Sequence, residues 1–317
     1  MQKITDNALN ALAACEYRGI GKGWVHARLR GGETIAQIVS LIGEKCDDAS
    51  VADFEQKRNR IRTEIERLGD AIDGVVGIGD ENFPKIRSSV KVGDRPVALF
   101  YRGDISLIKS VEKNVAVIGM LEPSDQIERE ERAVVRQLVE QGMCIVSGLA
   151  HGCDTIGHKE CLEFNGKTVA FLSSPLTQIN PPSNRPLADE IVWRGGLIVS
   201  EYFRDVHSRR EFIGRYAERD RLQSMFAGAV VLAASYAQRD YGKDSGSRFA
   251  MGKAVEYKVP RYVIYNEKRD ASNPMYNLSR DELHPRDGKV PSAKAIDADN
   301  FKGIVIRDED TQLEFDI

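Results

Sequence analysis

Cys144-Ile145-Val146-Ser147-Gly148-Leu149-Ala150-His151-Gly152-Cys153-Asp154 is a short apolar run that breaks into small residues and an acid. It has the look of a buried strand that turns through a tight loop into the helix expected from Thr155 to Asn165. The unit recurs along the chain. Asn114-Val115-Ala116-Val117-Ile118-Gly119 precedes a stretch of helical periodicity from Ile127 to Gln141 that Gly142 ends. Gly196-Leu197-Ile198-Val199-Ser200 runs into Glu201, and Ala229-Val230-Val231-Leu232-Ala233-Ala234 lies upstream of Ser245-Gly246-Ser247. Thr168 to Leu172 and Arg261 to Tyr265 are further strands. Short continuous apolar strands separated by helices predict an α/β fold, a doubly wound, Rossmann-like parallel sheet covered on both faces. Such sheets bind phosphates where their strands end.

Outside this alternation, about the first 70 residues read as a helical module with a connecting helix. A glycine-rich turn, Gly19-Ile20-Gly21-Lys22-Gly23, is followed by Arg28 and Arg30, the layout of a helix-hairpin-helix in which amides at a helix start can hold a phosphate; the motif is short, and a plain helix-turn-helix pair used for packing or protein contact is the favoured reading. Arg95 to Asp104 reads as an edge strand. The main sheet domain is expected over 71–270, and 271–317 as a polar, acidic tail with Phe301 to Ile306 as its one strand.

The formal net charge is −3, from 45 basic and 48 acidic residues. Any nucleic-acid site must therefore be a local patch. The five cysteines share no Cys-x-x-Cys spacing, which argues against a metal site, and there is neither a signal-peptide pattern nor a run of about 18 apolar residues. A cytoplasmic protein with reduced thiols and no membrane span is expected.

The strand ends supply the candidate chemistry. Gly119-Met120-Leu121 is not the start of a Gly-x-Gly-x-x-Gly fingerprint, and no Walker-type loop occurs, so neither a nicotinamide cofactor nor a phosphate-loop ATPase is expected. Small residues from Ser147 to Gly152 let a backbone approach a phosphate, with Asp154 as a helix cap that either stands alone or also positions the ligand. His151 and His158 read as structural, and Ser147 and Ser200 lack a nucleophile-elbow context. Arg204, Arg209, Arg210, Arg215, Arg219 and Arg221 are interleaved with Phe203, Phe212, Tyr216 and Phe226. That mixture suits an unpaired strand, and also a helix salt-bridged through Glu211, Glu218 and Asp220. Ser245-Gly246-Ser247, flanked by Lys243 and Arg248, could form an anion cradle at a helix start.

Taken in order, these segments resemble the DNA-processing protein A (DprA, or Smf) family. The likeness runs from about 80 to 280 through Asp80-Glu81-Asn82-Phe83-Pro84, Ser147 to Asp154 with His158, Pro182-Ser183-Asn184, Gly196 to Tyr202, Arg219-Asp220-Arg221 and Ser245-Gly246-Ser247. It implies an extended Rossmann fold, a single-stranded DNA pocket, a homodimer, delivery of a RecA-type recombinase to single strands, and no established enzymatic reaction, cofactor or metal. The DNA-phosphate residues it marks out, together with the strand ends, are Gly119, Ser147, Gly148, Gly152, Asp154, Asn184, Arg219, Arg221, Lys243, Ser245, Gly246 and Ser247. Departures stand out. The family's Gly-Ser-Arg is Gly119-Met120-Leu121 here, its Arg-Asn-Arg is Arg219-Asp220-Arg221, and the acidic tail stands where some members carry a winged helix. DprA-like partners of toxins in phage-defence modules form an alternative class. A third is a nucleotide phosphoribohydrolase-like enzyme with Glu201 as its carboxylate.

Overall fold

The computed structural model describes residues 4–240, 246–288, 290–299, 301 and 304. Lys243 and Ser245 lie outside the described residues, as does most of the strand expected from Phe301 to Ile306. The helical head consists of α1 (Asp6–Ala14), α2 (Lys22–Arg28), α3 (Ile35–Gly43) and α4 (Val51–Glu66). Three of these helices begin on a hydroxyl cap: Thr5 accepts from the Ala8 amide, Thr34 forms a capping box with Gln37, and Ser50 accepts from Asp53. Each cap satisfies an amide that the first turn leaves without a partner.

The sheet contains β1 (Gly74–Gly77), β2 (Ala98–Gly103), β3 (Asn114–Ile118), β4 (Cys144–Ser147), β5 (Thr168–Leu172), β6 (Leu197–Ser200), β7 (Ala229–Leu232), β8 (Arg261–Ile264) and β9 (Lys294–Ile296). Their order is β1-β2-β6-β5-β4-β3-β7-β8-β9. From β6 to β9 every pairing is parallel, as expected, whereas β1–β2 and β2–β6 are antiparallel.

Two expectations change here. The strand foreseen at Arg95 to Asp104 is interior, because β1 covers it. The polar region after 271 contributes β9 beside β8, with Tyr276 and Leu278 buried against the main core. The glycines at both ends of β1 hide it from a sequence reading. A Cβ on Gly74 would run into the Tyr101 ring, and one on Gly77 into the backbone of α1 at Ala8.

The crossover helices are α5 (Asp125–Glu140), α6 (Cys153–Glu163), α7 (Arg185–Trp193), α8 (Arg209–Met225) and α9 (Ser247–Glu256), followed by the short α10 (Glu267–Asp270) and α11 (Asn277–Leu283). Two apolar cores result. One joins β3, β4, β7 and β8 to α5, the end of α8, and α9; the other binds the helical head to β1, β2 and the outer faces of β5 and β6. From β3 the chain winds outward through β4, β5 and β6, then returns to place β7 on the other side of β3. That reversal is the switch point at which an open α/β sheet offers a crevice.

Candidate nucleic-acid cleft

A cleft of about 370 Å3 opens at that crevice, lined by Ile118, Gly119 and Leu121 after β3, by Ala150, His151 and Asp154 after β4, and by Gly246, Ser247 and Ala250 of α9. One face of α8 closes it with Tyr216, Arg219, Asp220 and Gln223. These four are spaced i, i+3, i+4 and i+7, a single helical stripe. Arg219 is the one lysine or arginine among the described lining residues.

The expected site residues divide into three groups. Gly119, Asp154, Arg219, Gly246 and Ser247 line the cleft. Ser147, Gly148, Gly152 and Asn184 support its walls from behind. Ser147 is fully buried, with its hydroxyl donating to the Val117 carbonyl at 2.7 Å. Asn184 donates to the Leu149 carbonyl at 2.9 Å and to Thr155 Oγ1 at 2.8 Å, which fixes the loop after β4.

The glycines make room for protein. A Cβ on Gly148 would overlap the Arg219 guanidinium, and one on Gly119 would meet Cys153. Gly152, at φ +70°, is the N-cap of α6 and abuts the carbonyls of Met120 and Leu121. Asp154 is thus inside the first turn, where its Oδ2 accepts from the Ala150 amide at 3.2 Å, so it is not the cap.

Arg221 forms the third group, because it points elsewhere. Two residues along a helix amount to a rotation of about 200°, which carries its side chain to the opposite side of α8 from Arg219. There its Nη2 lies 2.6 Å from Glu201, its Nε donates to the Asp94 carbonyl at 2.9 Å, and its Nη1 to the Glu218 carbonyl at 2.6 Å. Lys22 of the head reaches the same Glu201 at 3.0 Å, and neither lines the cleft among the described residues. Burial would raise the Glu201 carboxyl, but Arg221 and Lys22 outweigh it and hold it below the usual range. The other arginines of the basic stretch are dispersed. Arg204 pairs with Glu16 and Glu64, Arg215 with Glu211, while Phe203 stacks on Phe100 and Phe226 on Phe171.

Inside the cleft the charges oppose one another. Arg219 Nη1 lies 3.3 Å from Asp154 Oδ2, and its Nε lies 3.3 Å from Asp220 Oδ1. Burial pushes the Asp220 carboxyl up to about 6, with Arg219 pulling it down and Asp154 adding to the rise. His158 is fully buried behind, with its Nδ1 2.6 Å from Thr168 Oγ1 and its basicity lowered by burial to about 4. It is structural, as expected. Asp220 and Gln223 were not foreseen as cleft residues; their helical spacing from Tyr216 and Arg219 was the available signal. No group of three or more metal-ligating side chains occurs among the described residues, and no helix there is long and apolar enough to cross a membrane.

A family model described as DNA recombination-mediator protein A matches residues 74–272. Protein Smf of Synechocystis sp. is 35% identical over 155 residues, 48% of this chain and 37% of its own. DNA processing protein DprA of Streptococcus pneumoniae is 38% identical over 112 residues, 35% of this chain and 38% of its own. The matched stretch thus spans less than two fifths of either relative. The X-ray structure of that S. pneumoniae protein superposes with a TM-score of 0.66 at 22% identity, covering 99% of both chains, and shares the fold. DNA processing protein A from Helicobacter pylori, reported for its single-stranded DNA binding mode, gives a TM-score of 0.53 at 27% identity, covering 65% of this chain and 86% of its own. With well over half of its 317 residues matched by the family model, the chain belongs to the DNA recombination-mediator protein A family, which acts in DNA processing and recombination.

Proposed function

We propose that the cleft at the ends of β3, β4 and β7 holds single-stranded DNA, and that the protein presents that strand to a RecA-type recombinase as a homodimer. The carrying observation is the guanidinium of Arg219, seated in the space left by Gly148 and lining a cleft at the switch point of the sheet. The start of α9 lines the same cleft, with Gly246 as its N-cap, so the positive end of the helix dipole faces the space proposed for the strand. The walls are largely apolar, and Tyr216 gives an unpaired base a face to stack on. The H. pylori relative supports the same ligand.

A second reading, a defence component that works through a toxin-like protein partner, draws on one observation: Asp154 and Asp220 oppose the cleft's single arginine. Fluorescence anisotropy with labelled single and double strands separates the two. Preference for the single strand, weakening steeply with salt, is expected. Equal affinity for both forms overturns the proposal, and no binding at low salt favours the second reading.

A further inference from the structure

The stripe by which α8 closes the cleft does not stop at the cleft mouth. Followed back two turns from Tyr216 it reaches Arg209, Phe212 and Ile213, and at about 100° per residue these three and the four lining residues fall within an arc of about 120°. The added residues are exposed. Phe212 is 39% and Ile213 60% accessible, and the Arg209 guanidinium has no hydrogen bond or ion pair among the described residues. The acids of this half of the helix, Glu211 and Glu218, lie on its far side, where they engage Arg215 and Tyr202. Elsewhere in the basic stretch Phe203 and Phe226 are stacked within the protein and Arg204 is paired, so Arg209 and Phe212 are what that stretch leaves for a ligand.

The cleft has the volume of a small-ligand site, about 370 Å3, so a polymer seated in it must run out over a neighbouring surface. The outer half of α8 is suited to carry it. An unengaged guanidinium meets a phosphate, and an exposed ring meets the flat face of a base. Phe212 packs edge to face on Tyr216, with ring centroids 5.0 Å apart at 76°, which sets the two rings side by side at the cleft mouth. A duplex hides its base faces, so such a ring favours an unpaired strand. Resting on the single-strand reading of the cleft, we infer that the strand leaves the cleft along the outer half of α8, with a base stacked on Phe212 and a phosphate paired with Arg209. From Gln223 to Arg209 the helix rises about 21 Å, so the strand makes its contacts through several nucleotides, some inside the cleft and some beyond it.

The test uses fluorescence anisotropy with labelled oligo-dT of about 20 and about 4 nucleotides, on variants checked by circular dichroism. Phe212→Ala should weaken binding of the longer strand about tenfold with an unchanged salt slope, and Phe212→Tyr, which keeps the ring, should bind like the parent. Arg209→Ala should lower the salt slope by about 1. Trp193→Ala, which removes a side chain 81% exposed on α7, should have no effect, and the losses should shrink to less than about twofold for the short strand. Parent-like binding of the longer strand by both Phe212→Ala and Arg209→Ala overturns the path and leaves the single-strand reading of the cleft intact. An equal loss in Trp193→Ala, or equal losses for both strand lengths, also overturns the path. A parent protein that binds neither strand overturns both readings together.

Discussion

Arg219 and Arg221 are two residues apart on α8, each 5% exposed and each beside a buried carboxylate, yet they belong to different regions of the molecule. At the seam, Arg221 spends Nε and both terminal nitrogens on Asp94, Glu218 and Glu201. In the cleft, Arg219 reaches Asp154 through Nη1 and Asp220 through Nε, each at 3.3 Å, on the wall of the crevice. Burial and residue type do not separate the two; helix phase does, since Arg219 lines the cleft and Arg221 turns away from it.

The sharpest way to break this contrast is Arg221→Ala. It strands Glu201, 5% exposed at its side chain, with Lys22 as its remaining cation, and removal of one partner from a buried pair typically costs about 3–5 kcal/mol. Denaturant unfolding should show that loss, while DNA affinity per folded molecule stays near that of the parent. A stable variant that no longer binds would put Arg221 in the site and erase the distinction.

Gly148→Val tests the cleft side. Its side chain needs the volume that the Arg219 guanidinium occupies, so the arginine must leave its seat. Loss of one charged contact predicts affinity about 10- to 100-fold weaker, and since a displaced Arg219 leaves Asp154 and Asp220 buried without it, a stability loss comparable to that of Arg221→Ala. A variant that melts much earlier yet binds normally per folded molecule would reduce Gly148 to a packing residue.

The smallest effect belongs to Asp220→Asn. Removing one carboxylate beside Arg219 should tighten binding to oligo-dT by roughly threefold, about 0.7 kcal/mol. The sign with pH follows from the raised carboxyl, near 6 in the folded protein. Above that pH the charged Asp220 repels phosphate; below it the added proton mimics the amide, so the gap between parent and variant should close as pH falls through about 6. The native state also holds this proton more tightly than the unfolded chain does. Charged Asp220 therefore costs stability at neutral pH, and the variant should melt higher there. An affinity gap independent of pH would remove Asp220 from the cleft's charge balance.

The parallel strands β3 to β8 were legible because each carries three or more consecutive apolar residues. β1 was not, since Gly74 and Gly77 replace the side chains by which a strand announces itself, and β9 was not, since two of its three residues are exposed. The loop after β4 was legible as part of the cleft from its small residues. What those residues do was not, because Gly148, Gly119 and Gly152 make space for partners distant in sequence. The cleft-lining face of α8 was hidden for a different reason. Charged residues surround that helix, so no apolar stripe marks which arginine turns toward the sheet ends.

Lys22 of the helical head adds a second cation to Glu201, which Arg221 already pairs, and Arg204 beyond the sheet reaches back to Glu16 and Glu64 of the head, so the two parts are tied by charge in both directions. A head exchanged for another helical module would have to bring carboxylates to Arg204 in place of Glu16 and Glu64, and a cation beside Glu201 in place of Lys22. Head and sheet are therefore constrained to change together, and the front of the chain is poorly suited to life as an interchangeable cassette.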